Sequence, residues 1–300
     1  MDFTLDTLER LLTSLHDAGH LFIPVKEFFE NRAPRPGKLI ILRHDVDKKP
    51  ANSLAVARFE SELGIRGTYY FRIIPESFNK DIVCEIASMG HEIGYHYEDL
   101  CLAGRKSKGE RRKPGINGVE ELAVVAIESF RENLEEFRKV VPITTICMHG
   151  SPMSRHDSRL IWKYYDYREL GIIAEPYFDF SLEDMLYLTD TGRRWDGSSS
   201  SIRDKVVARD PGFYSGWKRK PVTGSAMSMT ERAKNFQKNF RFRKTEDILA
   251  AGRAHILPGK MLMTLHPQRW SDNYGEWLKE LLAQNVKNQV KYFINRHKSE

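Results

Sequence analysis

Four places in the chain set a histidine or carboxylate directly after an apolar run: Leu42-Arg43-His44-Asp45-Val46-Asp47, Gly94-Tyr95-His96-Tyr97-Glu98, Met148-His149-Gly150 and Leu265-His266-Pro267. Residues two apart on an extended chain share a face, so Asp45 and Asp47 point the same way if their strand continues. Two anions that close need a cation or a proton between them. Aspartate with histidines is a mixed nitrogen–oxygen set suited to zinc, or another first-row divalent ion, with a position left open for water. A second carboxylate can take that water's proton, and a histidine opposite can protonate a leaving amine. A lone strand-end histidine is usually a core residue, and Arg43 beside Asp45 alone reads as an ion pair. Four such ends meeting at one face read as a site.

The elements that must position these groups alternate. Short apolar or aromatic runs at 39–42, 67–73, 91–97, 143–148, 171–174, 186–189 and 261–265 predict strands. Helical patterns separate them at 53–63, 82–89, 119–140, 160–170, 229–238 and 244–251. Two helices, 5–16 and 25–31, precede the first strand, and an amphipathic helix over 275–296 closes the chain. The rhythm predicts parallel βα units in one (β/α) barrel, an α/β fold whose strand C-terminal ends carry the chemistry. Residues 1–300 read as a single domain: an N-terminal helical extension at 1–37, then barrel and terminal helix over 38–300.

Hydrophobic residues at 41% and charged ones at 29% suit a soluble globular chain and exclude a disordered one. The net charge of +6 is partly local, in the run RKSKGERRK at 105–113, which predicts a mobile loop. No nucleic-acid-binding motif accompanies it, so no nucleic-acid partner is expected. Anionic substrates such as nucleotide- or lipid-linked sugars fit the charge. The three cysteines show no C-x-x-C spacing, and Cys84 and Cys147 read as core fillers. The acidic, amphipathic start is unlike a signal peptide and no run of 18 apolar residues exists, so a cytoplasmic protein without a transmembrane segment is expected.

Over residues 38–270 the order of motifs resembles the NodB-type polysaccharide deacetylases, carbohydrate esterase family 4. The resemblance implies an irregular (β/α)7-type barrel. It also implies Asp45 as catalytic base, Asp47 and His96 as metal ligands, and His266 as general acid, with Ser53 opening the following helix. Gly90 to His96 resembles the second motif and 262–266 the fifth; HPQRW at 266–270 resembles a subgroup found with bacterial surface-polysaccharide genes. The chain departs from the pattern at Leu100, where a further histidine ligand is usual. His149 is the first replacement and Glu98 the second. The usual third motif, an arginine followed by proline and an aromatic residue, is absent, and His149-Gly150-Ser151-Pro152 stands in its place. Arg43, Glu98, Asp190, Arg193, Arg269 and Trp270 are the expected substrate-binding residues, with Trp270 offering a stacking face to a sugar. Arg203 and Asp204 read as structural.

The resemblance implies an N-deacetylase using one divalent ion, zinc by preference, on an acetamido-sugar precursor of O-antigen or capsule. A metal-independent amidohydrolase on the same barrel and a non-catalytic carbohydrate-binding homologue are the rivals. A phosphoester hydrolase ranks last, because a two-metal site needs more ligands than the chain offers.

Overall fold

The computed structural model describes residues 1–30, 37–109, 118–150, 156–195 and 231–297. Among the described residues seven strands form one wholly parallel sheet: β1 (His20–Ile23), β2 (Lys38–Val46), β3 (Thr68–Phe71), β4 (Glu92–Tyr97), β5 (Ile146–Met148), β6 (Leu186–Thr189) and β7 (Lys260–Leu265). The order runs β5-β4-β3-β2-β7-β6, with β1 paired to β2 beside that path. One parallel bridge, Thr145 to Ala174, extends the wall beyond β5. The sheet curls into a half-barrel with helices around it, the α/β architecture that the alternation predicts.

Strand β2 is the axis of this sheet. Along one edge it carries β7 from Leu39 to His44; along the other, β1 pairs up to Ile41 and β3 takes over at Arg43. The apolar run at 39–42 is therefore only half of the strand. Its period of two sends Arg43 and Asp45 into the barrel and His44 outward, onto α3 (Pro50–Glu62). There His44 Nε2 and Tyr69 Oη meet the Glu60 carboxylate at 2.9 and 2.7 Å, and His91 lies 3.8 Å from it, all buried.

The N-terminal segment is more than a helical extension. After α1 (Leu5–Asp17) it supplies β1, which the sequence reading did not foresee, and then α2 (Val25–Glu30). The first amides of α2, which have no partner inside a helix, bond at the base of the barrel: Val25 N–H to Thr68 Oγ1 at 2.8 Å and Lys26 N–H to Glu92 Oε2 at 2.8 Å. Glu92 also accepts from the Thr68 and Thr145 hydroxyls. Above that layer the ring of Tyr70 lies across Gly94. A Cβ at position 94 would stand 2.3 Å from Tyr70 Cε1, so only glycine fits.

Other expectations need correction. The helix over 160–170 is two 3-10 turns, Ser158–Lys163 and Tyr167–Leu170, and the strand over 171–174 reduces to the bridge at Ala174. The basic run at 105–113 begins inside a helix, α5 (Asp99–Gly109), and not in a loop. Residues 110–113, Ser151, Pro152, the polar run 197–201, Arg203 and Asp204 lie outside the described residues. Cys84 is exposed on the outer side of α4 (Lys80–Ser88), while Cys147 is buried.

The terminal helix, Tyr274–His297, inverts the expected amphipathic arrangement. It buries Glu280 and Gln284 against the barrel and exposes Tyr274, Leu278, Leu282 and Val286. No helix among the described residues is long and apolar enough to cross a membrane.

Candidate active site

The strand C-terminal ends bring Asp45, Asp47, His96, Glu98, His149, Asp190 and His266 to one face of the sheet. Arg43 and Asp45 project from the same side of β2. Arg43 Nε and Nη2 donate to the two carboxylate oxygens of Asp45 at 2.9 and 2.7 Å, a bidentate pair with both partners buried. Burial pushes the Asp45 carboxyl up, but the Arg43 charge and its hydrogen bonds prevail, with His96 and His266 adding to them, and hold it at about 2. Asp45 is thus a fixed anion. Arg43 spends Nε and Nη2 in keeping it so, while its Nη1 is buried without a hydrogen-bond partner.

Asp47, His96 and His149 form a second group. Asp47 Oδ1 lies 3.5 Å from His96 Nε2 and 3.3 Å from His149 Nε2. The three donor atoms all fall within 4.8 Å of one another. Asp47 Oδ1 is buried without a hydrogen bond, an expensive condition unless something cationic completes it. Ligand atoms around a tetrahedral ion with bonds of about 2.0–2.1 Å stand about 3.3 Å apart, so these separations fit a zinc-sized centre with one open position. His96 Nδ1 lies 2.9 Å from the Cys147 carbonyl. A carbonyl only accepts, so Nδ1 carries the proton and Nε2 keeps a lone pair for a ligand.

Glu98 stands behind this group. Its Oε2 faces His149 Nδ1 at 3.3 Å, while Arg72 Nε donates to Oε1 at 2.7 Å. Burial raises the Glu98 carboxyl, but His149 and Arg72 bring it down to about 2. Glu98 is thus anchored by Arg72 with Oε2 turned toward His149, behind the Asp47 group and outside it. Arg72 also donates through Nη1 to the Asp47 carbonyl at 3.0 Å, and Gln268 Nε2 donates to Asp47 Oδ2 at 2.9 Å. Sequence reasoning missed both supports. Arg72 directly follows β3 as His149 and His266 follow their strands, but a search for acids and imidazoles passes over a guanidinium. Leu100, at the position where a further ligand was expected, is fully buried in the core.

Across the face, Asp190 gathers the ends of β6 and β7. It accepts His266 Nδ1 at 2.6 Å, the His266 amide at 2.9 Å, Arg269 Nη1 at 2.8 Å and Trp270 Nε1 at 2.8 Å. Burial opposes its ionisation, but His266 and Arg269 outweigh that and lower its carboxyl. A carboxylate on Nδ1 fixes that nitrogen as the donor and leaves His266 Nε2 to exchange a proton. The charge of His266 reaches both Asp45 and Asp47, so the two halves of the site face each other.

Three residues expected at the substrate are placed elsewhere. Trp270 is fully buried, with its ring against Phe3 and Trp195 at 4.8 and 6.0 Å, and has no face to offer a sugar. Arg269 is buried and holds Asp190. Arg193, at φ 55°, stacks over Phe3 and Trp277 at 5.0 and 4.9 Å, tying the chain's two ends together. Buried Cys147 forms another potential ligand group with Asp45 and His96. Both oxygens of Asp45 are already held by Arg43, which leaves the Asp47 group as the better cation site.

No family model matches the chain, and no curated protein sequence does. Among solved structures it is similar to a Streptococcus pyogenes deacetylase, PplD, in complex with acetate, at 14% identity and a TM-score of 0.37. The likeness covers 52% of this chain and 66% of that one, just under two thirds of its length. A likeness of that extent leaves the site to be argued from its own residues.

Proposed function

We propose that this chain, acting as one unit, is a metal-dependent N-deacetylase that hydrolyses the acetamido group of a sugar precursor. The observation that carries this reading is the unpaired Asp47 Oδ1 facing two histidine Nε2 atoms, between a fixed carboxylate and an Asp-oriented histidine. A divalent ion held by Asp47, His96 and His149, zinc by the donor set, supplies Lewis acidity toward water and the amide carbonyl. Asp45, kept ionised by Arg43, accepts the proton of the attacking water. Its carboxylate cannot swing away, because Arg43 grips both oxygens. His266 gives its Nε2 proton to the departing amine, and Asp190 stabilises the imidazolium that must exist before that transfer. Two acid–base groups in opposed environments divide the labour: an anion clamped by arginine takes a proton, and an imidazole clamped by aspartate delivers one.

The mildly basic chain suits an anionic carrier, so the proposed substrates are nucleotide- or lipid-linked acetamido sugars used in cytoplasmic assembly of bacterial surface polysaccharide. The test is elemental analysis of protein purified without added metal, together with acetate release from a panel of such sugars. Near one equivalent of zinc and acetate release abolished by chelation are expected. Full turnover after complete metal removal would move the assignment to the metal-independent amidohydrolase.

A further inference from the structure

The terminal helix packs the wrong way round for a helix whose partner is only the barrel. Leu278, Leu282 and Val286 recur every four residues, a step of about 40° around the axis, and form one slanting stripe. With Tyr274 ahead of them, the four are 61%, 37%, 58% and 65% exposed in chain order. The opposite side is covered: Glu280 pairs with Lys48 at 2.9 Å, Asn288 Nδ2 donates to the Gly192 carbonyl at 3.0 Å, and Trp277 and Leu281 are half-buried. Lys48 directly follows Asp47, and Gly192 is two residues beyond Asp190. The helix therefore lies along the rim of the catalytic face, and its apolar stripe looks outward beside the mouth of the site.

We propose that this stripe docks the catalytic face onto an anionic lipid surface. Charge complementarity selects that occupant. Both described acids of the helix are neutralised by lysines, Glu280 buried against Lys48 and Glu276 at the surface with Lys49 at 3.1 Å, whereas Lys279 and Lys287 are exposed and make no described ion pair. An apolar stripe with lysines at its margin is the pattern that inserts shallowly among acidic headgroups. A second copy of the chain fits less well. It would bring the exposed Lys279 and Lys287 of one copy toward those of the other. Docked this way, the site opens toward a substrate whose sugar is displayed at the bilayer surface. That choice of a lipid-linked substrate rests on the deacetylase reading; the docking itself does not.

The test is flotation of the full chain with phosphatidylcholine vesicles, with and without phosphatidylglycerol. The wild type should float with the anionic vesicles only. Leu282→Gln/Val286→Gln should lose about tenfold or more of that partition, and Lys279→Gln/Lys287→Gln should lose the preference for acidic lipid. Both variants should keep the thermal midpoint and zinc content of the wild type, since none of these side chains is buried. Absence of vesicle binding, or binding indifferent to the Leu282/Val286 pair, overturns the proposal. So does a concentration-dependent dimer in sedimentation that Leu282→Gln dissolves. Acetate release from a soluble nucleotide-linked sugar is measured separately, so the docking and the catalytic reading can each fail alone.

Discussion

Gln268 Nε2 donates to Asp47 Oδ2 at 2.9 Å across a separation of 221 residues. The bond ties the end of β7 to the end of β2 and holds one oxygen of Asp47, so that the other faces His96 and His149 alone. Partners of this kind fix ligand orientation and typically account for about 10–100-fold in metal affinity. Gln268→Ala should therefore weaken zinc binding by about that factor in a chelator competition. The thermal midpoint of the metal-free protein should barely move. Unchanged affinity would show that Asp47 needs no such support.

On the proposed reading His149, at the end of β5, supplies the ligand that Leu100 does not. Zinc content should fall from near one equivalent to a trace in His149→Ala. Adding Leu100→His to that variant should not restore it, because Leu100 sits in the core. Recovery of metal in the double variant would mean that the start of α5 can reach the site after all.

The two proton-transfer roles separate from folding. Asp45→Asn and His266→Ala should each lower kcat by about 10²–10⁴-fold while urea denaturation stays cooperative. Asp190→Asn should impair kcat too, because an amide nitrogen turned to His266 Nδ1 selects the wrong tautomer. Near wild-type turnover in any of the three would remove that residue from the mechanism.

Stability should carry a pH signature from Asp99, away from the reacting groups. Burial raises its carboxyl to about 6, against hydrogen bonds from Tyr95, Ser129 and Asn133 at 2.7, 3.0 and 2.8 Å. A raised acid holds its proton in the folded state. Its contribution is complete below the unfolded value near 3.8 and is lost as pH rises through about 6. Over that window the wild type should lose about 3 kcal/mol more than Asp99→Asn, measured as the difference between their urea stabilities at each pH. Parallel curves would place the carboxyl at its ordinary value.

The chemistry at the strand ends was legible because it is local. A D-x-D on an extended chain must share a face, and His96, His149 and His266 each follow an apolar run that must be buried. What lay beyond the sequence depends on partners remote along the chain. The pattern marks Trp270 as an aromatic beside a catalytic histidine. That it is sealed between Phe3 and Trp195 is decided by the first residues and by the loop after β6. Glu98 could be read as ligand, substrate contact or support, and it is Arg72, just beyond β3, that holds one of its oxygens and turns the other toward His149. Helical periodicity located the terminal helix without saying which face turns inward. Paired lysines on the β2–α3 loop draw its polar side to the barrel.

The contact of Tyr70 with Gly94 carries a consequence for how this chain can change over evolutionary time. The two positions are neighbours on adjacent strands, Tyr70 paired with Gly94 in register, and the phenol ring occupies the space a side chain at 94 would need. Neither can drift alone: Gly94→Ala collides with the ring, and shortening Tyr70 strips the Thr145 hydroxyl of its 3.0 Å partner and opens a void. Across an alignment of descendants, the pair should be inherited as a unit. A methyl or larger group at 94 should appear only in lineages where 70 has already become small.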